Sequence, residues 1–184
     1  MNLKAITSAL LIAGLAAPSA FASTGTITFT GTITNVTCTV HGNDPGAGTD
    51  FTVDIGSVSS GDFKSIGDTS GNTGYKIYIG KEGETSCTNG TKVWATYDTT
   101  GGTVDPATGA LTTTGGAKGV QIRLYNVNGE PINIWGDQAV VKQTVEGNKA
   151  MLAYSASYQM VAPVEAGIAN SSVLYTVRFE PGTL

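Results

Sequence analysis

The chain has 184 residues, with 10 Lys and Arg against 14 Asp and Glu, a formal net charge of −4 and only 13% charged residues. An acidic balance without any basic cluster excludes nucleic acid and anionic membrane as natural partners. With one histidine, two cysteines, 25 glycines and many Thr and Ser, the composition suits an exported β-rich protein rather than a helical cytosolic enzyme.

Residues 1–22 read as a secretory signal: a short polar start carrying Lys4, an apolar run over 9–17, and Ala20-Phe21-Ala22 as a cleavage pattern. The run is far shorter than the ~20 residues that span a bilayer, so no membrane span is expected. Cleavage leaves residues 23–184, with 9 basic and 14 acidic side chains and a net charge of −5, enough for one domain with its own core.

Residues 23–38, S-T-G-T-I-T-F-T-G-T-I-T-N-V-T-C, place Ile27, Phe29, Gly31 and Ile33 at every second position with threonine between. That period of two predicts a strand with one apolar face, at the very start of the processed chain. Cys38 and Cys87 are the only cysteines, and after an export signal one disulfide is the expected arrangement.

Further on, residues 41–48 form a Gly- and Pro-containing turn, and Phe51, Val53 and Ile55 alternate along a predicted strand over 51–56. Residues 57–74 read as a long connection, and 74–80 as a strand with Tyr75, Ile77 and Ile79 on one face. Strands are also predicted at 92–97, 120–125, 151–160 and 172–179, with loop or short hairpin between 98 and 119. Asn128-Gly129 predicts a hairpin into a strand over 131–135. No stretch sustains helical periodicity, so the fold class is all-β, a sandwich of about six strands after Cys38.

Catalytic chemistry finds little support. His41 lies alone in a glycine-rich stretch, which leaves a Ser-His-Asp or Cys-His arrangement without a visible partner. Asp44, Asp50 and Asp54 do not have the spacing of a calcium loop, and turn capping accounts for Asp44 before Pro45. No cofactor is implied. Trp94 and Trp135 offer a second reading, a sugar-stacking surface in an adhesive or carbohydrate-binding subunit, although strand aromatics ordinarily serve as core.

Several segments, taken together and in order, resemble one family. They are I-T-F-T-G-T-I-T-N-V-T-C at 27–38, V-D-I-G-S-V at 53–58, the strand 75–79 leading to Cys87, G-V-Q-I at 119–122, A-S-Y at 156–158 and Y-T-V-R-F at 175–179. The pattern is similar to the major structural subunits of chaperone–usher pili, especially type 1 fimbrial pilins of Gram-negative bacteria, over nearly the whole processed chain. The resemblance implies an incomplete immunoglobulin-like sandwich that lacks its last strand and carries an N-terminal donor-strand extension. It implies a signal over 1–22, an extension over 23–35 and a pilin domain over 36–184. Ile27, Phe29, Gly31 and Ile33 become the inserting face of the donor strand. Val173, Tyr175, Val177 and Phe179 become the face that lines the groove and meets a periplasmic chaperone. The implied partners are like pilin subunits, that chaperone and an outer-membrane usher, in a protein exported through the periplasm to a cell-surface fimbrium. One departure is that five residues follow Phe179, where the family often ends with a penultimate aromatic, which leaves open how a chaperone would anchor the terminal carboxylate.

Overall fold

The computed structural model describes residues 36–182, all of which belong to one unit of the chain, Ile33–Leu184. The signal, and the donor-strand residues Ile27, Phe29, Gly31 and Ile33, lie outside the described residues. Eight strands follow in order: β1 (Val40–Gly42), β2 (Thr69–Gly80), β3 (Lys92–Tyr97), β4 (Leu111–Thr112), β5 (Lys118–Tyr125), β6 (Gln143–Thr144), β7 (Lys149–Glu165) and β8 (Tyr175–Glu180). The one described helical element is a 3₁₀ turn at Ser60–Asp62, closed by a capping box between Ser59 and Asp62.

The strands form two antiparallel sheets, in the orders β1-β2-β7-β5-β4 and β6-β3-β8. Alternation decides which side chains face inward. Tyr75, Ile77 and Ile79 of β2 are buried, as are Val93, Ala95 and Tyr97 of β3 and Leu152 and Ala156 of β7. Two core clusters result, one around Ile122, Leu124 and Ile132, the other around Ile77, Val93, Val145 and Cys87. The sheets are tied at Tyr154 of β7, whose hydroxyl accepts from the Ala95 N–H at 3.3 Å while its ring meets that of Tyr97 edge-on.

Cys38 and Cys87 form a disulfide across a sequence separation of 49, with Cys87 fully buried. Beside it, Thr37 N–H donates to Ser86 C=O at 3.2 Å, and Thr39 donates to Glu84 through both its N–H and its hydroxyl. The chain therefore enters the domain at a fixed point.

The structure departs from the sequence expectations in several places. The connection over 57–74 holds the 3₁₀ turn and the start of β2. The strand expected over 131–135 is reduced to a bridge from Tyr125 to Pro131 and a bond from Ile132 N–H to Leu124 C=O. There the Asn133 side chain accepts from the N–H groups of Trp135 and Gly136 and bends the chain into a turn. The segment 51–56 belongs to neither sheet. Its inward residues Phe51, Val53 and Ile55 are half-buried and its outward Thr52 and Asp54 exposed. The alternation is as expected, but among the described residues no strand pairs with it.

Candidate functional site

The unpaired segment forms one wall of a groove. Among the described residues β8 is an edge strand, paired with β3 on one side only. Along it and the residues just before it, Val173, Tyr175, Val177 and Phe179 are half-buried, whereas Leu174, Thr176 and Arg178 point to the exposed face. The cleft between 173–179 and 49–55 has a volume of about 740 Å³. Its floor is core: Tyr75 and Ile77 from β2, Ile122 and Leu124 from β5, and Ala156 from β7 line it. Among the described residues, no backbone hydrogen bond joins 50–55 to any other segment. The edge strand β8 and the segment 50–55, which belongs to neither sheet, thus face each other over apolar residues, and among the described residues their facing ladder groups are unpaired, a state that costs free energy until a partner fills it.

Two glycines hold the 51–55 wall in place. A Cβ at Gly42 would lie 1.9 Å from the Phe51 ring, and one at Gly71 would lie 2.9 Å from side-chain carbons of both Ile55 and Val58. Gly71 also has a φ of +76° at a register shift between β2 and β7, a conformation that other residues adopt with strain. The wall is therefore seated on β1 and β2 by side-chain packing where hydrogen bonds are absent.

The floor carries polar atoms. The Tyr75 and Tyr97 hydroxyls share a hydrogen bond of 2.7 Å, and burial raises both phenols well above their ordinary range. At the Val173 end, the Ser171 hydroxyl is buried without a hydrogen-bond partner, the kind of group that calls for an explanation in a native domain.

The structure brings Val173, Tyr175, Val177 and Phe179 together along one wall and places Val40 beside them. Sequence reading missed that residues 49–55 make the opposite wall, although the alternation of Phe51, Val53 and Ile55 was the available signal. Cys38, Val40 and Phe179 pack on one core cluster and Val173 on the other. The chain thus enters the domain at the Phe179 end of the groove.

Residues considered for other chemistry serve local structure. His41 sits in β1, its Nδ1 hydrogen-bonded with the Ala47 carbonyl. Asp44 and Asp54 accept from the N–H groups of Gly46 and Gly56. Trp94 lies under the Lys142 ammonium, 4.5 Å from its ring centroid, whereas Trp135 is exposed in the turn after Asn133. No ring contact joins the two tryptophans among the described residues.

Acid sensitivity follows from carboxylates held below their ordinary range, Glu84, Asp68, Asp105 and Asp98. Partial burial pushes Glu84 up, but the two hydrogen bonds from Thr39, together with the charge and backbone N–H interactions of Lys81, outweigh it and hold the carboxyl below its ordinary 4.5. Backbone N–H groups of Lys64 and Ser65 lower Asp68, and those of Ala107 with the Gln121 side chain lower Asp105, both from 3.8. With folded pKa values below unfolded ones, the stability they contribute is present above about pH 4.5 and is lost as pH falls through the folded values. The urea midpoint is expected to fall between pH 6 and pH 3 by more in the wild type than in Glu84→Gln. Equal falls would show that the Thr39 contact carries none of the acid response.

The model of the fimbrial protein family matches residues 27–180 of this chain. The major fimbrial subunit SMF-1 of Stenotrophomonas maltophilia is 36% identical over 176 residues, which cover 89% of this chain and 98% of that protein. The P pilus rod subunit PapA has a similar fold, with a TM-score of 0.58 at 17% identity over 78% of this chain and 99% of its own. A chain of a chaperone–usher pilus solved to explain rod uncoiling matches with a TM-score of 0.55 at 19% identity, over 89% of this chain and 100% of its own.

Proposed function

The chain belongs to the fimbrial protein family, and from that membership we propose that it polymerises by donor-strand exchange, residues 23–35 of one copy filling the groove of the next. It is a structural subunit of a cell-surface fimbria of the chaperone–usher type, not an enzyme. The observation that carries the proposal is the groove itself, where β8 and the segment 51–55 face each other over an apolar floor and have no ladder partner in it among the described residues.

An extended segment entering between two sheet edges gains ladder hydrogen bonds for affinity, and its alternate side chains fill pockets for specificity. Ile27, Phe29 and Ile33 contribute roughly 1.5–3 kcal/mol each on burial. Gly31, with no side chain, allows the backbone to approach the floor closely. The threonines between favour an extended chain and face outward. The chain enters its own domain at the Phe179 end of the groove. One copy's arm and the next copy's groove form a heterologous, head-to-tail contact, which propagates as an open fibre.

Before assembly the same groove is a hazard, since exposed edges over apolar surface invite unselective pairing. A periplasmic chaperone covers it with a strand of its own along Val173, Tyr175, Val177 and Phe179, and delivers the subunit to an outer-membrane usher. Replacing Gly31 with leucine tests the register. Polymer growth is expected to slow by about fivefold or more, as overpacking of roughly one to three kcal/mol implies, while the domain's urea midpoint stays unchanged. Equal growth rates would remove Gly31 from the inserting face.

A further inference from the structure

The groove is not simply open. The Tyr175 hydroxyl, rooted on β8, donates to the Thr49 carbonyl on the opposite wall at 2.7 Å. The Phe51 ring meets the Tyr175 ring edge-on, with centroids 5.9 Å apart, and also touches Tyr75 on the floor at 5.9 Å. A side chain from one wall therefore reaches the backbone of the other, 126 residues away in sequence.

Both ends of this contact are held. Tyr175 pairs with Tyr97 in the β3–β8 ladder. The loop carrying Thr49 is pinned to β1 by a 2.8 Å bond from Gly42 N–H to Gly48 C=O and by the His41 ring on the Ala47 carbonyl. A strand inserted between two edges lies roughly 4.7–4.9 Å from each neighbour, and the Tyr175–Thr49 contact spans the gap that such a strand would enter. The strand also competes for the Thr49 carbonyl, which accepts from the Tyr175 hydroxyl beside the 51–55 wall.

We propose that Tyr175 and Thr49, backed by Phe51, form a latch that closes the empty groove and must open before a donor strand can enter, so that Tyr175 sets the rate of strand uptake. This inference rests on the donor-strand reading and adds a step to it. The latch gives the subunit a way to shield its apolar floor while unfilled, and it places a barrier against random segments that lack enough pocket-filling side chains to displace it. Tyr175 acts here as a gating residue, its ring remaining a wall of the groove after the hydroxyl lets go.

Tyr175→Phe keeps the ring and removes only the hydroxyl. A fluorescent peptide with the sequence of residues 23–35 would be mixed with the full chain, disulfide intact, and uptake followed by anisotropy. Loss of one hydrogen bond present only in the latched state is expected to speed uptake by about two- to tenfold, and to change release of bound peptide by less. The variant's melting temperature should fall in the empty chain and match wild type once peptide is bound. Equal or slower uptake, or equal destabilisation of both states, would overturn the latch and leave donor-strand exchange standing. Failure of both proteins to take up any peptide would overturn donor-strand exchange itself, and the latch with it.

Discussion

Deleting residues 23–34 is expected to abolish polymer formation while leaving a soluble, disulfide-bonded domain that still binds a pilus chaperone. The apolar face lost is Ile27, Phe29 and Ile33, whose burial at roughly 1.5–3 kcal/mol each sums to a fall of about a thousandfold or more in affinity between copies, before ladder hydrogen bonds are counted. The groove is untouched by the deletion, because its walls and floor come from 40–179. Expression with and without a chaperone, followed by size-exclusion chromatography and electron microscopy, distinguishes the outcomes. Polymers of unchanged length from the truncated chain would mean that another surface joins the subunits.

Replacing both Cys38 and Cys87 with serine should lower stability by about 4 kcal/mol, the loop-closure entropy of a cross-link spanning about 50 residues. The effect is expected to reach assembly as well. The disulfide anchors the segment through which the arm leaves the domain, next to the Thr37–Ser86 and Thr39–Glu84 contacts, and Cys38 packs on the same core cluster as Phe179 at one end of the groove. A urea titration of the double variant measures the stability loss, and pilus yield measures its consequence. A midpoint equal to that of the oxidised wild type would show that the hydrogen bonds around Thr39 hold the entry point by themselves.

Much of the sandwich was legible in the sequence because period-two alternation reports burial of one face. Tyr75, Ile77 and Ile79, and the apolar positions of 92–97 and 120–125, point inward as that pattern requires. Alternation does not report hydrogen bonding, which is why 51–56 reads like any strand yet pairs with nothing described. The same limit applies to 131–135, where Ile132 and Ile134 are buried at 1% and 2% exposure while Asn133 turns the backbone out of any ladder. β7 extends through Glu165, well past the expected end at 160, because Ala, Pro and Glu near its close carry little strand signal. The contact of Tyr175 with Thr49 was beyond sequence reading altogether, since nothing in either neighbourhood refers to a residue 126 positions away.

Under donor-strand exchange, a groove built this way would convert a missing strand into a means of assembly. Folding buries Tyr75, Ile77, Leu124 and Ala156 within the domain, and the half-buried Val173, Tyr175, Val177 and Phe179 are the side chains a neighbour's strand would finish covering. Each junction would then be stabilised by side-chain burial and ladder bonds together. The wall at 51–55 is as much a part of that device as β8, because a strand inserted beside β8 alone would satisfy only one of its edges.

The most direct measurement is a density map of the assembled fimbria at a resolution that separates strands. Donor-strand exchange requires residues 23–35 of one subunit to lie between β8 and residues 51–55 of the next, with Ile27, Phe29, Gly31 and Ile33 facing the Tyr75, Ile122 and Leu124 floor and the Tyr175 hydroxyl released from Thr49. A groove found empty in the fibre, or filled by the subunit's own arm, would contradict it.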